Sequence, residues 1–310
     1  MNRKKVLITG SNGLLGQKLV YQILDEGKFD CIATSRGENR LIRKEGYSFY
    51  SMDSTILEEV KSVFELQRPD IVINTAAMTN VDACELEKEQ AVLQNETSVE
   101  NLLTVLQSLQ SQTYQPHLIH LSTDFIFDGT HGPLTEDEVP NPLSHYAITK
   151  WNAEKRVQAS SLKWSIVRTV LVYGLVDNMS RSNIVLWAKG ALEKGQNINV
   201  VDDQFRSPTL AEDLASGCLL VAEKESLGVY NISGKDFMSI LELVQRVAKF
   251  WKLNSDLITP SKSETIKQPA KRPPITGFII DKAVRELGYA PHSFEEGLQV
   301  LNDQLEKFKK

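Results

Sequence analysis

Tyr146 and Lys150 stand four residues apart in Tyr146-Ala147-Ile148-Thr149-Lys150, a stretch of helical pattern, so both side chains share one face. Tyrosine ordinarily titrates near 10 and is a poor proton-transfer group at neutral pH unless its surroundings tune it. A cation one helical turn away would favour the phenolate. Such a pair suits a reaction that needs a proton at oxygen, for example a carbonyl that receives hydride at carbon. Tyr-x-x-x-Lys alone is a common accident of surface helices. Here it follows a β-rich run ending Leu121-Ser122-Thr123-Asp124. Thr123 would then hydrogen-bond a substrate carbonyl beside Tyr146, and the catalytic set is read as Thr123, Tyr146 and Lys150.

Three kinds of element must position these groups. Candidate strands are Lys5-Thr9, Cys31-Thr34, Ser48-Ser51, Ile71-Asn74, Leu118-Ser122 and Ser165-Arg168. Helical spacing lies between them, clearest at Val99, Leu102, Leu103, Leu106 and Leu109. That alternation predicts right-handed βαβ units and a parallel sheet covered on both faces. After Gly174 the rhythm changes. Helices are expected at Ser182-Glu193, Leu210-Ala222, Ser239-Trp251, Asp281-Leu287 and Phe294-Leu305, with strands at Asn197-Val201 and Val229-Ile232. Pro269-Ala270-Lys271-Arg272-Pro273-Pro274 reads as an extended connector or pocket wall.

Between the first strand and first helix runs Thr9-Gly10-Ser11-Asn12-Gly13-Leu14-Leu15-Gly16. Gly10 suits a tight turn, Gly13 a close approach to a pyrophosphate, and Gly16 close helix-strand packing. The helix N-terminus offers free N–H groups and a partial positive charge to phosphates. This turn, with Asn12, Leu14 and Leu15, predicts a nicotinamide dinucleotide. An oxidised nicotinamide would join Lys150 in favouring the Tyr146 phenolate; a lowering by about 3 corresponds to roughly 4 kcal/mol. The second strand ends Thr34-Ser35-Arg36-Gly37 rather than on an acid, so Arg36 either grips a 2′-phosphate or is an exposed loop arginine. The reading favours NADPH with tolerance of NADH. Asp53 either bonds the adenine amino group or caps a helix start. The fold class is α/β. A Rossmann doubly wound sheet over 1–174, completed by 208–232, is expected beside a smaller C-terminal α/β substrate lobe over 175–310.

The 310 residues are 41% hydrophobic and 24% charged, ordinary for a globular chain. A net charge of −5 argues against a nucleic-acid partner, which would require a basic face. No apolar run is long enough to span a membrane. The basic start Met1-Asn2-Arg3-Lys4-Lys5 is followed by too short an apolar run for a signal peptide. Cys31, Cys84 and Cys218 lack pairing spacing and read as reduced thiols of a cytoplasmic protein. His117 and His120 fall on opposite faces of one strand, and no protein-bound metal is expected.

With these motifs in order, the sequence resembles the extended short-chain dehydrogenase/reductases, and within them the dTDP-4-dehydrorhamnose reductases. The resemblance covers nearly the whole chain. It rests on Arg68-Pro69-Asp70-Ile71-Val72-Ile73-Asn74 with Ala76-Ala77 and Thr79-Asn80-Val81-Asp82, and on Ser122 through Gly129. Tyr146/Lys150, Arg168-Thr169, Val172-Tyr173-Gly174, Asp203-Gln204, Ser207-Pro208-Thr209, Asp213-Leu214-Ala215 and Arg272-Pro273 complete it. The resemblance implies reduction of the C4 ketone of a nucleotide-linked 6-deoxyhexose. Tyr146 would protonate the alkoxide, Lys150 would hold the nicotinamide ribose, and Ala76 and Ala77 would lie at the cofactor. Asn95 either supports the lysine or faces solvent. Thr79, Val81, Asp82 and Gln204 would line the sugar-nucleotide pocket. Arg206 either binds a diphosphate or lies on the surface. A homodimer is compatible with this reading.

Two departures concern the sugar. Leu171 stands where the rhamnose-pathway enzymes commonly carry tryptophan, and Phe205-Arg206 replaces a smaller, glycine-containing step. Phe125 stands where sugar-nucleotide dehydratases carry glutamate, which removes that reading. An epimerase, or a non-catalytic NADP-binding subunit like the β subunit of methionine adenosyltransferase, remains as an alternative.

Overall fold

A computed structural model describes residues 3–178 and 182–308; Met1 and Asn2 of the basic start lie outside them. Six strands, β1 (Lys5–Thr9), β2 (Asp30–Ser35), β3 (Tyr47–Ser51), β4 (Ile71–Asn74), β5 (His117–Thr123) and β6 (Lys163–Thr169), join a later strand, Gly228–Asn231. They form one seven-stranded sheet in the order Gly228–Asn231, β6, β5, β4, β1, β2, β3. Every pairing in it is parallel. The chain builds outward from β1 to β3, then returns to place β4 on the other side of β1. That reversal opens a crevice at the carboxyl ends of β1 and β4, the ligand position of doubly wound sheets.

The strands have this form because alternate residues serve opposite layers. Val6 and Ile8 of β1 pack with Leu19, Val20 and Ile23 of α1 (Leu14–Glu26). Leu7, between them, packs with Val60 and Phe64 of α2 (Leu57–Gln67) and with Leu102 and Leu106 of the helix Ser98–Leu109. Gly27 ends α1 in the left-handed region, its N–H returning to Ile23 O. The helix Ala211–Glu223 lies beside α1, contributing Leu214, Cys218 and Leu219 to the same cluster. All three cysteines are buried.

A separate cluster gathers Val185, Ala188, Leu243, Val247, Leu298 and Leu301. These come from the helices Ile184–Glu193, Ile240–Phe250 and Phe294–Phe308, beside the parallel pair Ile198–Val201 and Ile258–Ser261. The strand Ile258–Ser261 carries Pro260 and was not expected from the sequence. The helical pattern over Asp281-Leu287 is a π-type turn from Ala283 to Leu287. Pro269 through Pro274 is non-helical, as expected. No helix among the described residues is long and apolar enough to cross a membrane.

Candidate active site

The glycine turn is shaped by close backbone approach. Gly10 has φ 69°, and a Cβ there would lie 2.9 Å from Ala76 N. A Cβ on Gly16 would lie 2.3 Å from Gly10 O, so the turn and α1 touch only because Gly16 has no side chain. Gly13 caps α1 without a side-chain bond, and the first helical turn holds no acid. Gly13, Leu14, Leu15 and Gly16 all border a cavity of about 700 Å³. Free N–H groups at a helix start without acidic side chains fit a dinucleotide's phosphates. Asn12 does not border this cavity; its amide ties Glu38 O and Arg40 N, fastening the loop after β2.

A smaller cavity of about 190 Å³ shares Gly13, Thr75 and Ala77 with the first and adds Gly10, Ala76, Arg36 and Asp53. The Arg36 side chain is 60% exposed and lies 3.9 Å from Asp53 Oδ2. Asp53 Oδ1 accepts from Thr55 N and Oγ1 at 2.9 and 2.7 Å. Asp53 thus organises the turn before α2 while still bordering the cavity.

At the end of β5, Thr123, Tyr146 and Lys150 border the larger cavity together. Ser144 caps the helix His145–Gln158 through Ala147 N, which sets Tyr146 and Lys150 in its first two turns. Thr123 Oγ1 donates to Asp124 Oδ1 at 3.1 Å, and the Thr123 hydroxyl also engages the Tyr146 phenol. Burial raises Tyr146 well above its usual pKa, outweighing the Thr123 bond that lowers it. Lys150 falls to about 8, again through burial, with Glu154 acting in the opposite direction. Its Nζ bonds Leu121 O at 2.6 Å. Burial therefore opposes the Tyr146 phenolate that Lys150 and an oxidised nicotinamide were expected to favour. Asn95 is buried, not solvent-facing: its amide bonds both Met78 backbone groups and Thr149 Oγ1, the neighbour of Lys150.

Thr79, Val81, Gln204 and Arg206 border the same cavity. Arg206 is not a surface residue. It is 3% exposed, and its guanidinium donates to Phe205 O, Pro273 O and Pro274 O at 2.7–3.1 Å. Its Nε lies 3.7 Å from Asp124, whose carboxyl also receives Thr276 Oγ1. Burial raises Asp124 despite the opposing Arg206 charge. Asp82 is held by Arg272 at 2.7 Å and by Ala270 N at 3.2 Å, which fastens the proline-rich connector beside the helix Val81–Leu86. The Arg272 bond is the main reason that Asp82 titrates below the usual carboxylate range. Ser122 and Thr169 also border the cavity, and their hydroxyl oxygens have no protein partner among the described residues. Neither has a site role legible in the sequence; the register, which sets Thr169 of β6 beside Thr123 of β5, brings them to the cavity. Leu171 and Trp187 supply apolar wall.

Residues 4–307 match the family model described as RmlD substrate binding domain. The chain belongs to that family. Among its relatives, the methionine adenosyltransferase 2 subunit beta of Xenopus tropicalis is 29% identical, over 85% of this chain and 77% of its own. A dTDP-4-dehydrorhamnose reductase of Aggregatibacter actinomycetemcomitans is 27% identical, over 95% of this chain and 97% of its own. The solved dTDP-4-dehydrorhamnose reductase of Bacillus anthracis, in complex with NADP, is 26% identical with a TM-score of 0.82, covering 97% and 99%. The chain is thus similar both to reductases and to a subunit named for a different enzyme.

Proposed function

We propose that this chain reduces the C4 ketone of a nucleotide-linked 6-deoxyhexose with NADPH, accepting NADH as well. One observation carries the reading: the hydroxyls of Thr123 and Tyr146 meet in a cavity that also contains Lys150 and the glycine turn. The N-terminus of α1 would hold the cofactor's diphosphate, with Arg36 at a 2′-phosphate, Asp53 at the adenine, and Ala76 and Ala77 alongside. The bound dinucleotide supplies the hydride. Thr123 orients the ketone oxygen, and Tyr146 delivers its proton there. Burial keeps Tyr146 protonated, which is the form a proton donor must start in. Lys150 would hold the nicotinamide ribose, and Asn95 steadies the helix through Thr149. Thr79, Val81, Asp82, Gln204 and Arg206 form the sugar-nucleotide side, where Arg206 secures the connector wall. In this reading 1–174 with 208–232 binds cofactor and 175–310 binds substrate.

The reductase relatives support this reading. A test is transfer of deuterium from C4-deuterated NADPH to the sugar. Label on the ring carbon supports reduction; cofactor binding without transfer to any keto-sugar opposes it. A second reading, a non-catalytic NADP-binding subunit, is favoured by the adenosyltransferase relative and by two cavity cations already engaged by protein. Arg206 is spent on carbonyls and Arg272 on Asp82, so neither stands ready for a diphosphate.

A further inference from the structure

The register of the sheet sets three buried polar side chains abreast. Thr9 on β1 pairs with Asn74 on β4, and Asn74 pairs with His120 on β5. None is more than 2% exposed. Thr9 Oγ1 meets Asn74 Oδ1 at 2.6 Å, and Asn74 Nδ2 meets His120 Nδ1 at 3.0 Å. The row starts at the glycine turn, where Ala76 N–H donates to Thr9 Oγ1 at 3.3 Å. It ends with His120 Nε2, 3.5 Å from Lys150 Nζ.

Counting donors gives the row a direction. The Thr9 hydroxyl has one hydrogen, and Asn74 Oδ1 can only accept, so that hydrogen goes to Asn74. The Asn74 amide nitrogen must then donate to His120 Nδ1. A neutral imidazole that accepts at Nδ1 carries its proton on Nε2. Burial, and then the charge on Lys150, hold His120 well below its ordinary pKa, so the ring is neutral. An N–H therefore faces the Lys150 ammonium, donor against donor. A neutral Lys150 amine would accept from it instead.

We propose that His120 is a positioning residue, locked as the Nε2–H tautomer by Thr9 and Asn74, that disfavours the charged form of Lys150. Its consequence for turnover, an upper pH limit set partly by His120, rests on the reductase reading. Other titratable or charged groups near Lys150 are Glu154 and the Tyr146 phenol on its own helix, Arg168 of β6 paired with Glu154, and Asp124 beyond Thr123. Glu154 favours the charged form of Lys150, the opposite of the sense proposed for His120.

Two measurements on the full chain test this without turnover. In nitrogen-15 spectra of histidine-labelled protein, His120 is assigned by its loss in His120→Gln. The expected result is a bare Nδ1 and a protonated Nε2 from about pH 5 to about pH 9. A proton on Nδ1, or a charged ring near pH 6, would overturn the proposal. In carbon-13 spectra of lysine-labelled protein, Lys150 is assigned by its loss in Lys150→Arg. His120→Leu should raise the Lys150 titration by about one pH unit. His120→Gln, whose amide can accept from Asn74 and donate toward Nζ, should leave it near the wild-type position. An unmoved Lys150 in a folded His120→Leu protein would refute the role. The alkaline limb of kcat should follow the same order. A moved Lys150 in a protein that reduces no keto-sugar would defeat the reductase reading alone.

Discussion

Replacing Gly16 with alanine sets two effects of opposite sign against each other. Alanine in a helix is intrinsically better than glycine by roughly 1 kcal/mol. The added carbon, however, would lie 2.3 Å from Gly10 O and 2.7 Å from Ser11 Cα, where ordinary contact begins at 3.4 Å. Both neighbours are backbone, so the turn must retreat from α1 by about 1 Å; overpacking of this kind costs about 1–3 kcal/mol. The net loss of stability is small, but the retreat moves the free N–H groups at the start of α1, on Leu14, Leu15 and Gly16, that would face the phosphates. NADPH binding by Gly16→Ala should weaken at least about tenfold, or about 1.4 kcal/mol. Gly190→Ala is the control. Gly190 lies inside the helix Ile184–Glu193 and a Cβ there meets nothing within 4 Å. It should raise stability by about 0.5–1 kcal/mol and leave NADPH binding alone. Fluorescence titration and thermal melting read both effects. Binding by folded Gly16→Ala within about twofold of wild type would refute the assignment of this turn to the cofactor.

Two further outcomes concern buried charge. Arg168 and Glu154 are 3% and 0% exposed and joined at 2.8 Å; Arg168 also donates to Glu136 O. Glu154→Ala leaves the guanidinium buried and uncompensated, and should cost about 3–5 kcal/mol in urea unfolding; a loss below about 1 kcal/mol would contradict this. Burial lowers His117 from 6.5 to about 4. Between those values the unfolded chain takes up a proton that the folded chain refuses, so stability falls as pH drops through this window. The full effect is roughly 3 kcal/mol, and below about pH 4 it changes no further. His120, also lowered, adds in the same direction. His117→Gln should therefore lose less stability than wild type between about pH 7 and about pH 4.5. Equal losses would mean that His117 does not titrate as its burial requires.

Legibility in the sequence followed the range of the interactions involved. Ile71–Asn74 could be read to the residue, because the apolar run Ile71-Val72-Ile73 is bounded by Asp70 before it and Asn74 at its end. The strand Ile258–Ser261 could not: it contains proline, and its partner Ile198–Val201 is remote in sequence. The π-type turns Leu93–Thr97 and Ala283–Leu287 look α-helical in pattern, since one extra residue in a turn barely changes apolar spacing. That Thr123, Tyr146 and Lys150 would meet was legible from type and spacing. Their electrostatics were not, because the desolvation that raises Tyr146 depends on its packing with Cys84, Ala91 and Phe125, and Lys150 is lowered by its own burial beside Leu121 and His120. Arg206 looked like a surface or phosphate-binding residue. Its burial follows from the carbonyls of Pro273 and Pro274, acceptors in a connector with no regular ladder to satisfy them. The Thr9, Asn74 and His120 row needed the register of three strands before its members could be seen as neighbours.

The most direct test of the reductase reading is NADPH consumption with an enzymatically generated dTDP-4-keto-6-deoxyhexose, comparing wild type with Tyr146→Phe. The variant keeps the ring against Phe125 and loses only the proton that Tyr146 would deliver. The account predicts prompt consumption by wild type and a kcat about 10²–10⁴-fold lower in the variant, with NADPH affinity retained. No consumption by wild type that binds NADPH, or equal rates in both proteins, would contradict it.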